Sequence, residues 1–230
     1  MKKISVILIL IFIFSCEKEQ HDLTVIGTVK GLKKGIIYLK KTDDTLLVTV
    51  DSLVINGNDN FELHSKIESP EMFFLYLDND DQRISFFADK GITEINTSLK
   101  KFTSDVTIKG SKQQVVLEEY LLMMSKFNNK NLDLFKENFD ARKANDSVLA
   151  KTSIDERNSL LKRKYLYTVN FAINNKDSEV SPYVALTEIY NANIKLLDTI
   201  NNSLTPKVKA SKYGKEFQIF IDNIKAEENK

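Results

Sequence analysis

The stretch Val106-Thr107-Ile108-Lys109-Gly110-Ser111-Lys112-Gln113-Gln114 divides the chain into two kinds of sequence. Its first three residues form a short apolar run typical of a strand. Ser111 to Gln114 matches the capping box, in which a hydroxyl and the side chain three residues later satisfy amide donors at the start of a helix. Six of the seven glycines lie at or before Gly110, and only Gly214 follows. Because glycine punctuates strands and weakens helix interiors, the sequence predicts a segregated α+β fold that changes class near residue 110.

The part before this boundary contains short apolar runs at intervals of about ten residues, a spacing typical of small sandwiches. Leu23 to Val29 shows the alternation of a half-buried strand. We therefore predict an antiparallel β-sandwich-like domain over residues 22–110, with strand order left open. Asn56-Gly57 and Asp78 to Asp81 are interpreted as hairpin connections. The predicted strands are Leu23 to Val29, Ile36 to Leu39, Leu46 to Ile55, Phe61 to Ile67, Met72 to Leu77, Ile84 to Ala88, Ile92 to Ile95 and Val106 to Ile108.

The part after the boundary carries helix-start signals. Ser153 to Glu156 is a second capping box, and Ser181-Pro182 and Thr205-Pro206 place proline after a capping hydroxyl. We predict five or six helices over residues 111–225, one of them long, from about Ile154 to Asn174, and then a charged tail at 226–230. Two apolar helix faces are expected, namely Leu117, Tyr120, Leu121 and Met124, and Phe217, Phe220, Ile221 and Ile224.

The first fifteen residues have the pattern of a secretory signal peptide. Lys2 and Lys3 precede a continuous apolar run from Val6 to Phe14, and a small residue, Ser15, follows. Nine apolar residues would rise only about 14 Å as a helix, roughly half of the hydrocarbon core, so a membrane-spanning segment is disfavoured.

The single cysteine stands directly after this leader. The segment Ile13-Phe14-Ser15-Cys16 resembles the bacterial lipobox, which implies that Cys16 is the lipidation site and carries the acyl chains. Residues 16–21 would then tether the folded domain to the membrane. Two or more acyl chains anchor a protein stably in a membrane. Glu17 to Gln20 resembles a sorting signal for the outer membrane, although a plain solvated linker explains it equally well. We expect a lipid-anchored protein of the cell envelope, located in the outer membrane, with the leaflet left open.

Charge and composition exclude several function classes. The chain has 33 Lys and Arg against 32 Asp and Glu, a formal net charge of +1. A nucleic-acid partner is not expected, because phosphate binding requires a concentrated basic field. One Cys and two His exclude a disulfide framework, a Cys-x-x-Cys redox pair and a Cys/His zinc site. We expect no metal and no cofactor.

Several short segments carry a family resemblance. They are Val25 to Val29, Ile37 to Leu39, Asp51-Ser52, Asn60 to Leu63 and Gly110-Ser111. Together they resemble a domain of unknown function that is common in bacterial cell-envelope lipoproteins, and the similarity covers roughly residues 22 to 225. The resemblance implies a β domain, a helical linker and then a thioredoxin-like domain of the thiol-disulfide interchange or peroxiredoxin-like type.

The chain departs from that family after residue 225, where the thioredoxin fold would follow. Cys16 cannot replace its redox pair, because acylation consumes the sulfur and a lone thiol has no resolving partner. We therefore predict a non-catalytic binding or scaffold module that holds a redox partner or an envelope polymer. The alternatives are an accessory to thiol-disulfide or peroxide chemistry, with a thioredoxin-like partner in another chain, and a hydrolase with an unrecognised site.

Three groups of side chains are candidate sites. Asp78, Asp80 and Asp81 could hold calcium, but Arg83 and Asp89 stand where its twelve-residue loop needs other residues, so a solvated hairpin tip is favoured. The aromatic residues Phe73, Phe74, Tyr76, Phe86 and Phe87 should lie on both faces of two strands; coverage by the helices is favoured over a polymer-binding groove. His21 and His64 have no partner at a fixed spacing, so no catalytic residue is assigned.

Four acid-hydroxyl-aliphatic triplets resemble acceptors for O-glycosylation. Modification would fall on an exposed hydroxyl, and plain strands or turns explain the same triplets. The candidate acceptors are Thr45, Ser52, Ser147 and Thr199.

Overall fold

The computed structural model describes residues 21–78 and 81–228. The predicted signal peptide and the lipidation site Cys16 lie outside the described residues, as do Asn79 and Asp80. All eight predicted strands are confirmed. They are β1 (Leu23–Lys30), β2 (Lys34–Asp43), β3 (Leu46–Asn56), β4 (Asn60–Ser65), β5 (Glu71–Leu77), β6 (Arg83–Ala88), β7 (Gly91–Ser98) and β8 (Thr107–Lys109).

The strands form two four-stranded sheets. The first sheet has the order β4-β1-β7-β8 and the second has the order β3-β2-β5-β6. Every pair is antiparallel except β1 and β7, which run parallel because the intervening strands return the chain to the same end of the sandwich. Their side chains meet in one core between the sheets, where Val25, Leu39 and Phe86 are fully buried.

One of the two predicted hairpins is confirmed. β5 and β6, which flank Asp78 to Asp81, are hydrogen-bonded antiparallel neighbours. The prediction for Asn56-Gly57 was wrong, because β3 and β4 belong to different sheets and this turn carries the chain from one to the other. Gly57 has a φ of +93° and donates its N–H to Lys33 O at 2.8 Å.

Gly110 marks the change from strands to helices for a steric reason. Its φ is +97°, and an added Cβ would lie 2.1 Å from the carbonyl oxygen of Ile92 on the neighbouring strand. Only glycine satisfies both the backbone conformation and the close approach. The strands therefore end at Lys109, and the first helix begins at Lys112.

Six helices follow in the described part of the chain, within the predicted number. They are α1 (Lys112–Lys143), α2 (Ser147–Asn174), α3 (Val180–Glu188), α4 (Ile194–Ser203), α5 (Pro206–Lys209) and α6 (Lys212–Glu228). Two of them are long, with 32 residues in α1 and 28 in α2, where the sequence predicted one. α6 continues to Glu228, so the described part of the predicted tail is helical.

The helix starts were predicted with mixed success. Thr205-Pro206 does begin α5, with proline in the first turn. The capping box at Ser153 was wrong, because Asp146 caps α2 by accepting from the N–H groups of Val148 and Leu149. Ser181 also lies inside its helix, where its hydroxyl donates to Ala172 O at 2.9 Å and ties α3 to the end of α2.

The apolar faces predicted for α1 and α6 are largely confirmed. Leu117, Tyr120 and Met124 are buried, whereas Leu121 is 48% exposed. On α6, Phe217 and Ile221 are fully buried in a second core formed by the helices, and Phe220 and Ile224 are half-buried against it. Across the described residues, no helix has the length and hydropathy that crossing a bilayer requires.

Candidate functional site

The helices cover the outer face of the second sheet. Phe87 is fully buried there, with its ring centroid 5.6 Å from that of Tyr183 and 5.7 Å from that of Tyr213. Phe74 is half-buried in the same cluster. The predicted coverage by the helices is therefore confirmed for these two aromatic residues.

The other three aromatic residues have different surroundings. Phe73 and Phe86 point into the sandwich core and are fully buried. Tyr76 is half-buried, with Lys40 Nζ 4.7 Å from its ring centroid and with Arg83 donating to its hydroxyl at 3.2 Å. The five rings do not form one exposed groove.

Polar side chains from the helices also complete the hydrogen bonding of this sheet. Phe87 N–H donates to Gln114 Oε1 at 2.8 Å, and Met72 N–H donates to Tyr213 Oη at 3.1 Å. Burial raises the pKa of Tyr213, which keeps its hydroxyl protonated. Only half of the predicted capping box forms, because Gln114 N–H donates to Ser111 Oγ while the Gln114 side chain turns to the sheet.

The boundary between sandwich and helices opens at one end into a cleft of about 590 Å³, which we call the seam cleft. It lies between the loop that follows β4, the start of α1 and the turn between α5 and α6. Its lining includes Ser69, Asp89, Gly110, Gln113, Glu179 and Lys207.

Glu179 is the most deeply buried charge in the seam cleft, with 1% of its side chain exposed. Ser178 Oγ donates to Gln113 Oε1 at 2.5 Å and so orients the amide. Gln113 Nε2 then donates to Glu179 Oε2 at 2.6 Å. The other oxygen, Glu179 Oε1, is buried and accepts no hydrogen bond from the described residues.

Asp89 supplies a second buried oxygen that has no hydrogen-bond partner among the described residues. Its Oδ2 accepts from the N–H groups of Lys112 at 2.7 Å and Gln113 at 3.4 Å, at the start of α1. A carboxylate at this position is stabilised by the positive end of the helix dipole. Asp89 Oδ1 is buried and has no hydrogen-bond partner among the described residues.

Lysine side chains lie at the rim. Lys207 Nζ is 3.6 Å from Glu179 Oε1, and 76% of the Lys207 side chain is exposed. Lys90 lies at the same cleft and pairs with Asp22 at 3.3 Å. The seam cleft thus combines two fixed carboxylates inside with ammonium groups outside. The side chains of the described lining residues can hold a molecule by hydrogen bonds.

A neighbouring depression of about 620 Å³ is internally compensated. Its buried Glu71 accepts from Lys41 at 2.9 Å and from Lys212 at 2.6 Å. Burial raises the pKa of Glu216 nearby, although the Lys212 charge opposes the shift. Because its buried carboxylate is already paired, we interpret this depression as a contact that holds α6 against the second sheet.

The four candidate glycosylation hydroxyls are all exposed, which modification requires. Thr45 lies in the turn between β2 and β3, Ser52 on β3, Ser147 at the start of α2 and Thr199 on α4. Their acidic neighbours have structural roles. Asp51 accepts from His64 N–H at 2.7 Å, Asp146 caps α2, and Asp198 pairs with Lys225 at 2.7 Å.

The two histidines lie side by side, although no sequence pattern indicated this contact. The His21 and His64 rings stack with centroids 4.8 Å apart, and Glu62 lies 3.4 Å from His64. Asp80 of the predicted acidic hairpin tip lies outside the described residues. Within residues 21–78 and 81–228, no group of three or more His, Cys, Asp or Glu side chains is suited to a metal ion.

Sequence reasoning missed Glu179 and Gln113. Glu179 precedes Ser181-Pro182, which was interpreted as a plain helix start, and a single Glu carries no sign of burial. Gln113 lies inside the capping box, and a signal existed only for its neighbours Ser111 and Gln114.

A second surface lies at the far end of α1 and α2. We call residues 128–160 the arm, because none of them belongs to the three hydrophobic clusters of the described structure. Its α1 portion would project about 24 Å at 1.5 Å per residue. Leu132, Phe135 and Phe139 share one face of it and are 65%, 55% and 52% exposed.

Comparison with known proteins gives one match. No curated protein and no solved structure matches the chain. Residues 23–117, which comprise the sandwich and the start of α1, match the family model of a domain of unknown function, DUF4369.

Proposed function

We propose that the protein is a lipid-anchored cell-envelope protein that acts as a non-catalytic binding or scaffold module, with its ligand site in the seam cleft. The observation that carries this proposal is the pair of buried carboxylate oxygens, Asp89 Oδ1 and Glu179 Oε1, which accept no hydrogen bond from the described residues; the nearest cation among these residues, Lys207 Nζ, stays 3.6 Å from Glu179 Oε1. Leaving such groups without a partner costs stability, so a bound donor would be favourable there.

A thermal melt tests the binding role. A dialysable, low-molecular-weight extract of the native envelope should raise the Tm of the wild type, because a ligand that binds only the folded state stabilises it. Glu179→Gln should lose most of this rise. Glu62→Gln, which changes an exposed carboxylate on β4, should keep it. No rise in the wild type, or equal rises in the wild type and Glu179→Gln, would contradict the proposal.

The lipid anchor is supported by the apolar leader that ends at Ser15-Cys16. Cells fed an alkyne fatty acid should label the wild-type protein, and Cys16→Ala should lose the label because the acceptor sulfur is gone. The outer membrane is the proposed location, and fractionation of the labelled cells tests it. A Cys16→Ala protein that still carries the label would overturn the assignment.

The second candidate is an accessory role beside a thioredoxin-like protein in another chain. The exposed aromatic residues Phe135 and Phe139 on the arm favour a protein partner. A photo-crosslinking amino acid at position 135 should capture a protein with a Cys-x-x-Cys thioredoxin fold, whereas one that replaces Val54, which is also exposed, should not. Adducts that contain no such protein would rule this role out.

A further inference from the structure

Two buried oxygens that lack hydrogen-bond partners among the described residues define what a ligand of the seam cleft must supply. Asp89 Oδ1 and Glu179 Oε1 are acceptors only, so the group that meets them must donate hydrogen bonds. Both carboxylates are held in place by their other oxygen, through Gln113 and the start of α1. The site is therefore preorganised, and a small ligand would lose little free energy in ordering it.

A cationic donor fits better than a neutral one. A neutral donor to a carboxylate already forms a charge-assisted hydrogen bond, but an ammonium group adds the direct attraction of opposite charges, which is stronger where water is partly excluded. A metal ion fits poorly, because such ions take several oxygen ligands and, among the described residues that line the cleft, only Asp89 and Glu179 have a buried carboxylate oxygen without a hydrogen-bond partner.

Lys207 shows how an ammonium group approaches this site. Its Nζ is drawn to Glu179 but stays beyond hydrogen-bond distance, and 76% of its side chain is exposed. The carboxylate of this pair is buried, but the Lys207 ammonium group is exposed and makes no hydrogen bond to it, so an ammonium group that bonds directly to Glu179 Oε1 could take its place.

We infer that the seam cleft binds the primary ammonium group of a small molecule, such as an amino acid or an amino alcohol, between Asp89 Oδ1 and Glu179 Oε1. This assignment rests on the proposed binding function and names its ligand class. Lys207 is the internal competitor of that ammonium group.

Calorimetric titration of the full chain in detergent at pH 7 tests the assignment. Ethanolamine and 4-aminobutanoate should bind, and butanoate and calcium chloride should not. Tighter binding of 4-aminobutanoate identifies a ligand with an acid group, and tighter binding of ethanolamine identifies an amino alcohol. Calcium binding that depends on Glu179, or binding of butanoate as tight as that of 4-aminobutanoate, would overturn the assignment.

Three variants separate the site from a general effect of charge. Glu179→Gln and Asp89→Asn keep an oxygen for the existing hydrogen bonds and should each weaken amine binding at least tenfold. Lys207→Met removes the competitor and should strengthen ethanolamine binding about threefold or more, without affecting the fold. Glu62→Gln should change neither affinity. Weaker ethanolamine binding by Lys207→Met would contradict the inferred competition.

The two proposals fail in different ways. If the envelope extract stabilises the wild type through Glu179 while no amine binds, the binding function stands and the ligand class is wrong. If neither the extract nor the amines act through Glu179, both proposals are overturned.

Discussion

The two ends of the α1–α2 helix pair are built differently. Near the sandwich, Tyr120 and Phe171 are buried with ring centroids 5.0 Å apart, and the Tyr120 and Thr168 hydroxyls lie 2.8 Å apart. In the arm, Phe135 and Phe139 are exposed, and the helices meet through Asn138, which donates to Ala150 O and Ser153 Oγ.

The difference indicates that the two ends of this helix pair contribute unequally to the stability of the protein. Apolar burial contributes most of the stability where α1 and α2 meet the sandwich. The arm buries only three apolar side chains, Leu134, Ala141 and Leu160, and Asn138 adds a polar contact between its two helices. Substitutions should therefore cost less as they move from the base of the pair to the arm.

The largest effect is expected for Phe171→Ala at the base. Truncating a packed Phe leaves a cavity and should lower the free energy of unfolding by about 3 to 5 kcal/mol. Urea denaturation of the variant and the wild type measures the loss. A loss below about 1 kcal/mol would show that Phe171 contributes little to the core and would contradict the difference between the two ends of the helix pair.

A smaller effect is expected for Asn138→Ala in the arm. Two hydrogen bonds from a buried amide are lost, which should cost about 1 to 2 kcal/mol. Hydrogen exchange should speed up in the arm and stay unchanged in α6. Uniform acceleration over the whole helical half would show that the arm does not open as a separate unit.

Alkaline pH should lower the stability of the protein through Tyr120, which lies where α1 and α2 meet the sandwich. Burial raises the pKa of Tyr120 above its ordinary value, although the Thr168 hydrogen bond opposes the shift. The neutral form is therefore favoured in the folded state, so its contribution is complete below about pH 10 and is lost as the pH rises above that value. The loss is about 1.4 kcal/mol per pH unit for one such group.

Comparison of Tyr120→Phe with Tyr190→Phe isolates this group. Tyr190 is 58% exposed and serves as the control. Melts from pH 9 to pH 11 should fall less steeply for Tyr120→Phe than for the wild type and Tyr190→Phe. Parallel slopes in all three proteins would remove Tyr120 as a source of alkaline sensitivity.

The smallest effect is expected for Phe135→Ala, the counterpart of Phe171→Ala. Its ring is 55% exposed, with the Arg157 guanidinium 5.4 Å from the ring centroid. Stability should change by no more than about 0.5 kcal/mol, because little buried area is removed. A loss comparable with that of Phe171→Ala would mean that the arm is part of the core.

The sequence predicted the strands well because alternation and turns are local signals, as in Leu23 to Val29. It could not predict that β1 pairs with β7, since that pairing depends on contacts between residues almost 70 positions apart. The same limit explains Ser153, whose hydroxyl fits a local capping pattern but bonds with Asn138 of the other helix.

Local sequence patterns could not predict the seam cleft, for a related reason. Glu179, Gln113 and Asp89 belong to three separate segments, and each has a plain local role at a helix end or strand end. Their joint burial follows from the packing of the helices on the second sheet. Gly110 of the cleft was predicted to be important for the fold, because its conformational freedom marks the class boundary.

The content of the seam cleft can be seen directly in a high-resolution crystal structure of the protein purified from its own membrane. Density for a non-protein molecule is expected there, with a nitrogen within hydrogen-bond distance of both Asp89 Oδ1 and Glu179 Oε1 and with Lys207 turned outward. A cleft filled only by water, or closed by Lys207 bonded to both carboxylates, would contradict a ligand site at this position.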